Sequence, residues 1–128
     1  MSHPENDRIA ARQRRIARRK RLRIAKKRGN HNKYQWLYLK WWTGGRCPGC
    51  GRILDSREYF TRDHITPPQL GGSNSIINIQ PLCAPCNVKK AATRIDYRDA
   101  QLRMAQLRAA ELSAGELHKL LSLFGCLG

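Results

Sequence analysis

The sequence predicts a small α+β domain in which a strand, a loop, a second strand and a helix are held together by four cysteines. Two C-x-x-C pairs, Cys47/Cys50 and Cys83/Cys86, are separated by 32 residues and frame this unit. The segment between them contains two strand-like stretches around a loop rich in Pro, Gly, Ser and Asn. Sequences typical of helices lie on both sides of it.

The chain divides into four predicted segments. A basic, nucleic-acid-binding arm occupies residues 1–29, and an aromatic helix that packs on the core occupies residues 30–44. The cysteine-framed core spans residues 45–94, and C-terminal helices follow over residues 95–128.

The four paired cysteines predict one structural Zn²⁺ per chain. Each C-x-x-C turn can aim two thiolates at one ion, and two such turns complete a closed tetrahedral site. Disulfides fit less well, because five cysteines leave one unpaired and nothing indicates an oxidising compartment. A redox C-x-x-C would explain one pair and not the other. Cys126 is predicted to be a spare core thiol.

The charge predicts a polyanionic partner. The chain has a formal net charge of +16 and a pI near 10.6, so nucleic acid is the expected ligand. No apolar run approaches the ~20 residues of a membrane-spanning helix. The N-terminal sequence MSHPENDR does not have the layout of a secretory signal. We therefore expect a soluble, cytoplasmic protein with no membrane partner.

The arm carries most of this charge. Residues 1–28 contain 12 Lys and Arg against two acids, and Gly29 is placed as a helix stop. We expect the arm to be helical, at least when bound, and to neutralise phosphates. The alternative is a solvated tail that only confers solubility. The predicted nucleic-acid contacts are Arg12, Arg15, Arg18, Arg19, Lys20, Arg21, Lys26, Lys27, Lys89 and Lys90.

The segment NHNKYQWLYLKWWTGG predicts a helix with one apolar stripe, ended by Gly44 and Gly45. Such regular spacing favours packing on the core over stacking on bases, which is the alternative role for these aromatics. Trp36 and Leu39 lie off the stripe and are predicted to be exposed. The stripe consists of Tyr34, Leu37, Tyr38, Trp41 and Trp42.

Within the core, REYFTRD predicts a strand that runs up to His64, and TPPQLGGSNS predicts a loop. IINIQPL predicts a second short strand that leads to Cys83. From Cys86 onward, CNVKKAATRI is a good helix sequence.

The stretch DHITPPQLGGSNSIINIQPLCAPCNVKK resembles the ββα-metal core of the HNH endonucleases, including their zinc-binding subtype. Asn78 follows His64 by fourteen positions, and Asn87 follows Asn78 by nine. The HNH domains of RNA-guided CRISPR nucleases are similar in these intervals and also end in Asn. The resemblance covers roughly residues 45–94.

This resemblance implies roles for five residues. His64 would be the general base, and Asp63 and Asn87 would hold a divalent ion at the scissile phosphate. Asn78 would orient the histidine and hold the loop, and Lys90 would contact phosphate. The family pattern has a third histidine at position 87, and the amide oxygen of Asn there suits a hard ion such as Mg²⁺ or Mn²⁺.

Two functions are consistent with the sequence. The first is a metal-dependent DNA endonuclease that nicks or cuts both strands, as the resemblance to small phage and bacterial HNH proteins implies. The second is a non-catalytic, zinc-stapled module that binds DNA or structured RNA. His64, Asp63 and Asn87 fit only the first.

The C-terminal segment is predicted to be helical, with an apolar face formed by Leu117, Leu120, Leu121 and Phe124. This face packs on the chain's own helices or, alternatively, on a partner in a dimer or a larger phage or nuclease assembly. The sequence leaves the oligomeric state open.

Overall fold

The computed structural model describes residues 3–112 and 114–123, which form helices around a two-stranded sheet. The predicted α+β class is confirmed: the sheet and one short helix form the centre, and longer helices flank it. In chain order, the elements are α1 (Pro4–Arg28), α2 (Lys33–Trp42), β1 (Thr61–His64), β2 (Ile79–Leu82), α3 (Ala84–Lys90), α4 (Arg98–Glu111) and α5 (Ala114–Leu123).

The sheet is antiparallel, and its register pairs Thr61 with Leu82 and His64 with Ile79. β2 is buried along its whole length, and α3 packs on β1. Residues 65–78, which we call the site loop, connect the two strands. The loop contains two short 3-10 turns, over Pro68–Leu70 and Ile76–Asn78.

Both strands are shorter than the sequence predicted. β1 begins at Thr61 because Arg57 lies in a turn, where the Asp55 carboxylate accepts a hydrogen bond from the Arg57 backbone at 2.8 Å. β2 begins at Ile79 because the three residues before it form a 3-10 turn.

The predicted helix from Cys86 to Ile95 is also too long, since α3 ends at Lys90 and Ala91 has a positive φ of 51°. Buried Gln80 explains this end. Its amide donates to the Ile95 carbonyl at 2.8 Å and accepts from the Tyr97 backbone at 2.9 Å. These bonds hold residues 95–97 away from the helix axis.

The orientation predicted for α2 is wrong at several positions. Trp36 is only 6% exposed, whereas Tyr34 and Leu37 are 55% and 44% exposed. The helix lies against both β2 and α4, so its buried surface is wider than one stripe. Cations cover the Trp36 ring, with Arg62 at 5.0 Å and Lys40 at 5.3 Å from its centre. The ends of α2 agree with the sequence, since Asn32 and Gln35 form a capping box and Gly44 follows in a left-handed conformation.

The basic arm is helix α1, and it ends at Gly29 as expected. Its last turn, however, is part of the folded core. Ala25 is completely buried, and the carbonyls of Ala25 and Gly29 accept hydrogen bonds from the Asn74 backbone at 3.1 and 3.0 Å. The guanidinium of Arg28 donates to the carbonyls of Pro68 and Gly72. At this end, the arm is therefore more than a solvated tail or a phosphate-binding helix.

At the C-terminal side, α4 packs on α2, and the Arg108 guanidinium lies 3.8 Å from the centre of the Trp41 ring. Leu121 in α5 is 42% exposed. The side chains of Leu117 and Leu120 are not among those that the structure describes, and Phe124 and Cys126 lie outside the described residues. In the described part of the chain, no helix combines the length and apolar character that crossing a bilayer requires.

Candidate active site and metal centre

Four cysteines form a cluster that can hold a metal ion. The Sγ atoms of Cys47, Cys50, Cys83 and Cys86 all lie within 4.8 Å of one another, and those of Cys50 and Cys83 are 3.9 Å apart. A tetrahedral zinc site with Zn–S bonds of ~2.3 Å has sulfur–sulfur edges of ~3.8 Å. The thiols are free, and 3.9 Å is far longer than a disulfide. The donor set and spacing fit Zn²⁺.

Local turns explain how the sequence aims these thiols. In the first C-x-x-C turn, the Gly51 backbone donates to the Cys47 carbonyl at 2.7 Å, and Gly51 has a positive φ of 75°. Gly49 leaves room for the second pair, because a Cβ at this position would lie 3.2 Å from the Cys86 sulfur. The Cys83 backbone donates to the Cys47 sulfur at 3.4 Å and so ties the two turns together.

Three of the predicted site residues line an open cleft of about 830 Å³. Asp63 and His64 at the end of β1 line one side, together with Asn87 of α3. Residues of helix α1 also line this cleft. The basic residues among them are Arg18, Arg21 and Lys26.

The ring of His64 has a defined orientation in this cleft. Its Nε2 lies 2.9 Å from Oδ1 of Asn74, and the Asn74 amide nitrogen donates to Asn30. With the Asn74 oxygen as acceptor, this contact calls for a proton on Nε2 of His64, and in the neutral ring Nδ1 is then the acceptor. Burial lowers the pKa of His64 below its usual value, and the hydrogen bond to Asn74 opposes that shift. The shift favours the neutral ring, which is the form able to accept a proton.

Asn74 is a residue that sequence reasoning missed. Asn78 was expected to orient the histidine and to hold the loop, and its side-chain hydrogen bonds agree with the second role because they join two parts of the site loop. It accepts from the Thr66 backbone at 2.9 Å and donates to the carbonyls of Thr66 and Ser73 at 3.0 and 2.7 Å. Sequence spacing does not show which of these two asparagines contacts His64, because Asn74 reaches the histidine only through the folded shape of the loop.

Asp63 is buried, with only 4% of its surface exposed. Its carboxylate accepts from the Gln80 amide at 2.8 Å and lies 3.3 Å from the Lys90 ammonium. Burial raises the pKa of Asp63, while Gln80 and Lys90 act in the opposite direction. Lys90 is 3% exposed and also donates to the His64 carbonyl at 2.8 Å. The structure thus places Lys90 as the partner of Asp63, which does not suit the predicted phosphate contact.

Asn87 is positioned by a chain of hydrogen bonds. Its amide nitrogen donates to the Thr61 hydroxyl at 2.8 Å, and that hydroxyl donates to the Leu82 carbonyl at 2.8 Å. With the nitrogen engaged, the amide oxygen is the atom available to a ligand. An amide oxygen and a carboxylate in one cleft are donors that suit Mg²⁺ or Mn²⁺.

Comparison with known families agrees with this geometry. Residues 47–93 match the family model described as HNH endonuclease. This segment is an HNH domain. It runs from the first cysteine through β1, the site loop and β2 to the residues just after α3. No curated protein and no solved structure matches the chain.

The HNH domain does not contain most of the predicted nucleic-acid contacts, which lie on α1. Three of them, Arg18, Arg21 and Lys26, line the cleft beside the HNH domain. Lys89 lies within the domain and is exposed. The others are exposed along the helix but do not line the cleft: Arg12, Arg15, Arg19, Lys20 and Lys27.

Proposed function

We propose that this protein is a metal-dependent endonuclease that hydrolyses phosphodiester bonds in DNA, with His64 as the general base. The observation that carries the proposal is the hydrogen bond between His64 and Asn74. It leaves a neutral Nδ1 available in a cleft that also contains Asp63, Asn87 and basic residues. Phosphodiester hydrolysis needs a base, fixed geometry and positive charge near the phosphate.

In this mechanism, Nδ1 of His64 takes the proton from the attacking water. Nε2 keeps its own proton, and its hydrogen bond to the Asn74 oxygen stabilises the imidazolium that forms. Asp63 and Asn87 would hold the divalent ion, which when bound would polarise the phosphate and stabilise negative charge on its oxygens. Gln80 and Lys90 fix the carboxylate of Asp63 from the protein side.

We assign different metals to the two sites. The cysteine cluster would hold a structural Zn²⁺, since four thiolates leave no open position for chemistry. The oxygen donors of Asp63 and Asn87 would hold an exchangeable Mg²⁺ or Mn²⁺.

We propose that α1 binds DNA on one side of the cleft while the HNH domain cuts on the other. The predicted nucleic-acid contacts on α1 would neutralise backbone phosphates without reading the bases. DNA as the substrate is consistent with the HNH family and with a cytoplasmic location in a bacterial or phage-infected cell.

A second candidate function is nucleic-acid binding without catalysis, to DNA or structured RNA. The observation that favours it is the buried ion pair between Lys90 and Asp63. The ammonium already neutralises the carboxylate that would hold the catalytic ion.

Incubation of supercoiled plasmid with the purified chain and Mg²⁺ distinguishes the two functions. Endonuclease activity gives nicked or linear plasmid, and a chelator stops it. Intact plasmid that is nevertheless shifted on a gel would support the binding module. Catalytic-metal dependence is separated from loss of zinc by adding Mg²⁺ back and confirming one zinc per chain by elemental analysis.

A further inference from the structure

We propose that the last turn of α1 and the residues after it position the catalytic histidine, so that the DNA-binding helix is also part of the catalytic machinery. Asn74 connects this end of α1 to His64. The inference rests on the proposed function for the role of His64, but the contacts that carry it are independent of that role.

The orientation of Asn74 is set almost entirely by the α1–α2 junction. Its backbone nitrogen donates to the carbonyls of Ala25 and Gly29, and its carbonyl lies 2.6 Å from Nδ1 of His31. Its side-chain nitrogen donates to Asn30. Asn74 is 6% exposed, so water cannot easily replace these partners.

These contacts decide which amide atom faces His64. If the Asn74 amide alone turned over, its oxygen would meet the acceptor oxygen of Asn30 and its nitrogen would face the ring. The bond to Asn30 therefore keeps the oxygen directed at Nε2 of His64 and fixes the ring tautomer. Asn30 and Asn74 act here as positioning residues.

The site loop that carries Asn74 is fastened by the same helix. Arg28 donates to the carbonyls of Pro68 and Gly72 at 3.2 and 3.3 Å. Gly72 lies so close to Thr66 that a Cβ added to Gly72 would be 1.7 Å from the Thr66 carbonyl oxygen. The loop is therefore tightly packed at Gly72 and bonded to α1 through Arg28.

The same helix lines the cleft with Arg18, Arg21 and Lys26. DNA bound to these residues would act directly on the element that orients His64. Loss of the α1–loop contacts should therefore lower kcat, whereas loss of charge elsewhere on α1 should act mainly on KM.

Two residues of α1 provide a matched test in the full-length chain. Arg28→Gln and Arg23→Gln each remove one charge from an exposed position, but of the two only Arg28 bonds to the site loop. Arg28→Gln should lower kcat by up to about 100-fold, the effect of misplacing a catalytic group by about 1 Å. Arg23→Gln should keep the wild-type kcat. Zinc content and circular dichroism check that both variants fold.

Asn30 provides a second pair. Asn30→Ala removes the acceptor for the Asn74 amide and should also lower kcat. Asn30→Asp keeps an acceptor oxygen and should restore most of it. If Asn30 had only a structural role, any polar replacement would restore kcat equally well. Asn30→Ser therefore serves as the comparison, and it should not restore kcat to the level of Asn30→Asp.

The tautomer of His64 gives a readout that does not depend on cleavage. Nitrogen NMR of the imidazole, at a pH well above the usual histidine pKa of ~6.5, should show Nε2–H for wild type and Arg23→Gln. Arg28→Gln and Asn30→Ala should show a mixture of tautomers. Wild-type kcat or a wild-type tautomer in both variants would overturn the inference. If the wild-type chain cuts no DNA, the proposed function fails and the tautomer alone decides the positioning role.

Discussion

At the scale of single residues, the environment of His64 decides its chemistry. Burial lowers its pKa, so the neutral, proton-accepting form persists to lower pH than for an ordinary histidine. The rate should fall on the acid side as the ring becomes protonated. The midpoint of that fall should lie below the usual ~6.5.

A pH profile of kcat at saturating Mg²⁺ measures this midpoint. Asn74→Ala is the informative comparison, because the hydrogen bond to Asn74 raises the pKa of His64 and its loss should move the midpoint lower still. A wild-type midpoint above the ordinary value would contradict the assignment.

Asn87 should affect metal binding more than the proton transfer. Asn87→Ala removes an oxygen donor from the cleft, so activity should fall and extra Mg²⁺ should restore part of it. Asn87→Asp keeps an oxygen at this position and should need less added metal. Rates measured over a range of Mg²⁺ concentrations test both variants, and a loss that no concentration of Mg²⁺ relieves would argue against Asn87 as a ligand.

Spacing along the chain was enough to select the four cysteines, which the structure brings together. The resemblance to HNH endonucleases was what selected Asp63, His64 and Asn87, which line one cleft. Spacing could not identify Asn74, since its partners Asn30 and His31 are more than forty positions away in sequence. The buried pairing of Lys90 with Asp63 was missed for a similar reason. It depends on how α3 packs against β1.

At the scale of elements, the cysteine cluster joins the first C-x-x-C turn to α3. The hydrophobic core beside this cluster is small. Metal binding can contribute ~10 kcal/mol or more to the folding of such domains. Cys47→Ser should therefore lose zinc and unfold the core. Elemental analysis and thermal melting measure these effects, and a folded, active protein without zinc would contradict the structural role.

Helix α1 should separate into two functional parts. Deleting residues 1–21 removes eight Lys and Arg but keeps the buried turn around Ala25. With about half of those charges engaged, the slope of log K against log salt should flatten by ~4. An unchanged slope would exclude this part of α1 as a main phosphate contact.

Element boundaries were harder to predict than element types, because tertiary contacts set them. Gln80 draws residues 95–97 away from α3, and the position of α2 between β2 and α4 buries Trp36. Helix ends with their own local signals, such as Gly29 and the capping box at Asn32, were predictable from sequence.

At the scale of the whole molecule, a strongly basic helix and a small HNH domain enclose one cleft. The net charge of +16 predicted a polyanion as the partner, and the family match supports nuclease activity. The sequence could not reveal that the two parts share a hydrogen-bond network at Asn74.

The central claim is that His64 removes a proton from water to cut DNA, and cleavage of supercoiled plasmid by His64→Ala tests it most directly. At saturating Mg²⁺, the variant should be slower than wild type by ~10²–10⁴-fold while keeping its zinc and its affinity for DNA. His118→Ala, an exposed histidine in α5, controls for loss of a histidine as such and should cut at the wild-type rate. Equal cleavage by His64→Ala and wild type would show that His64 is not the base.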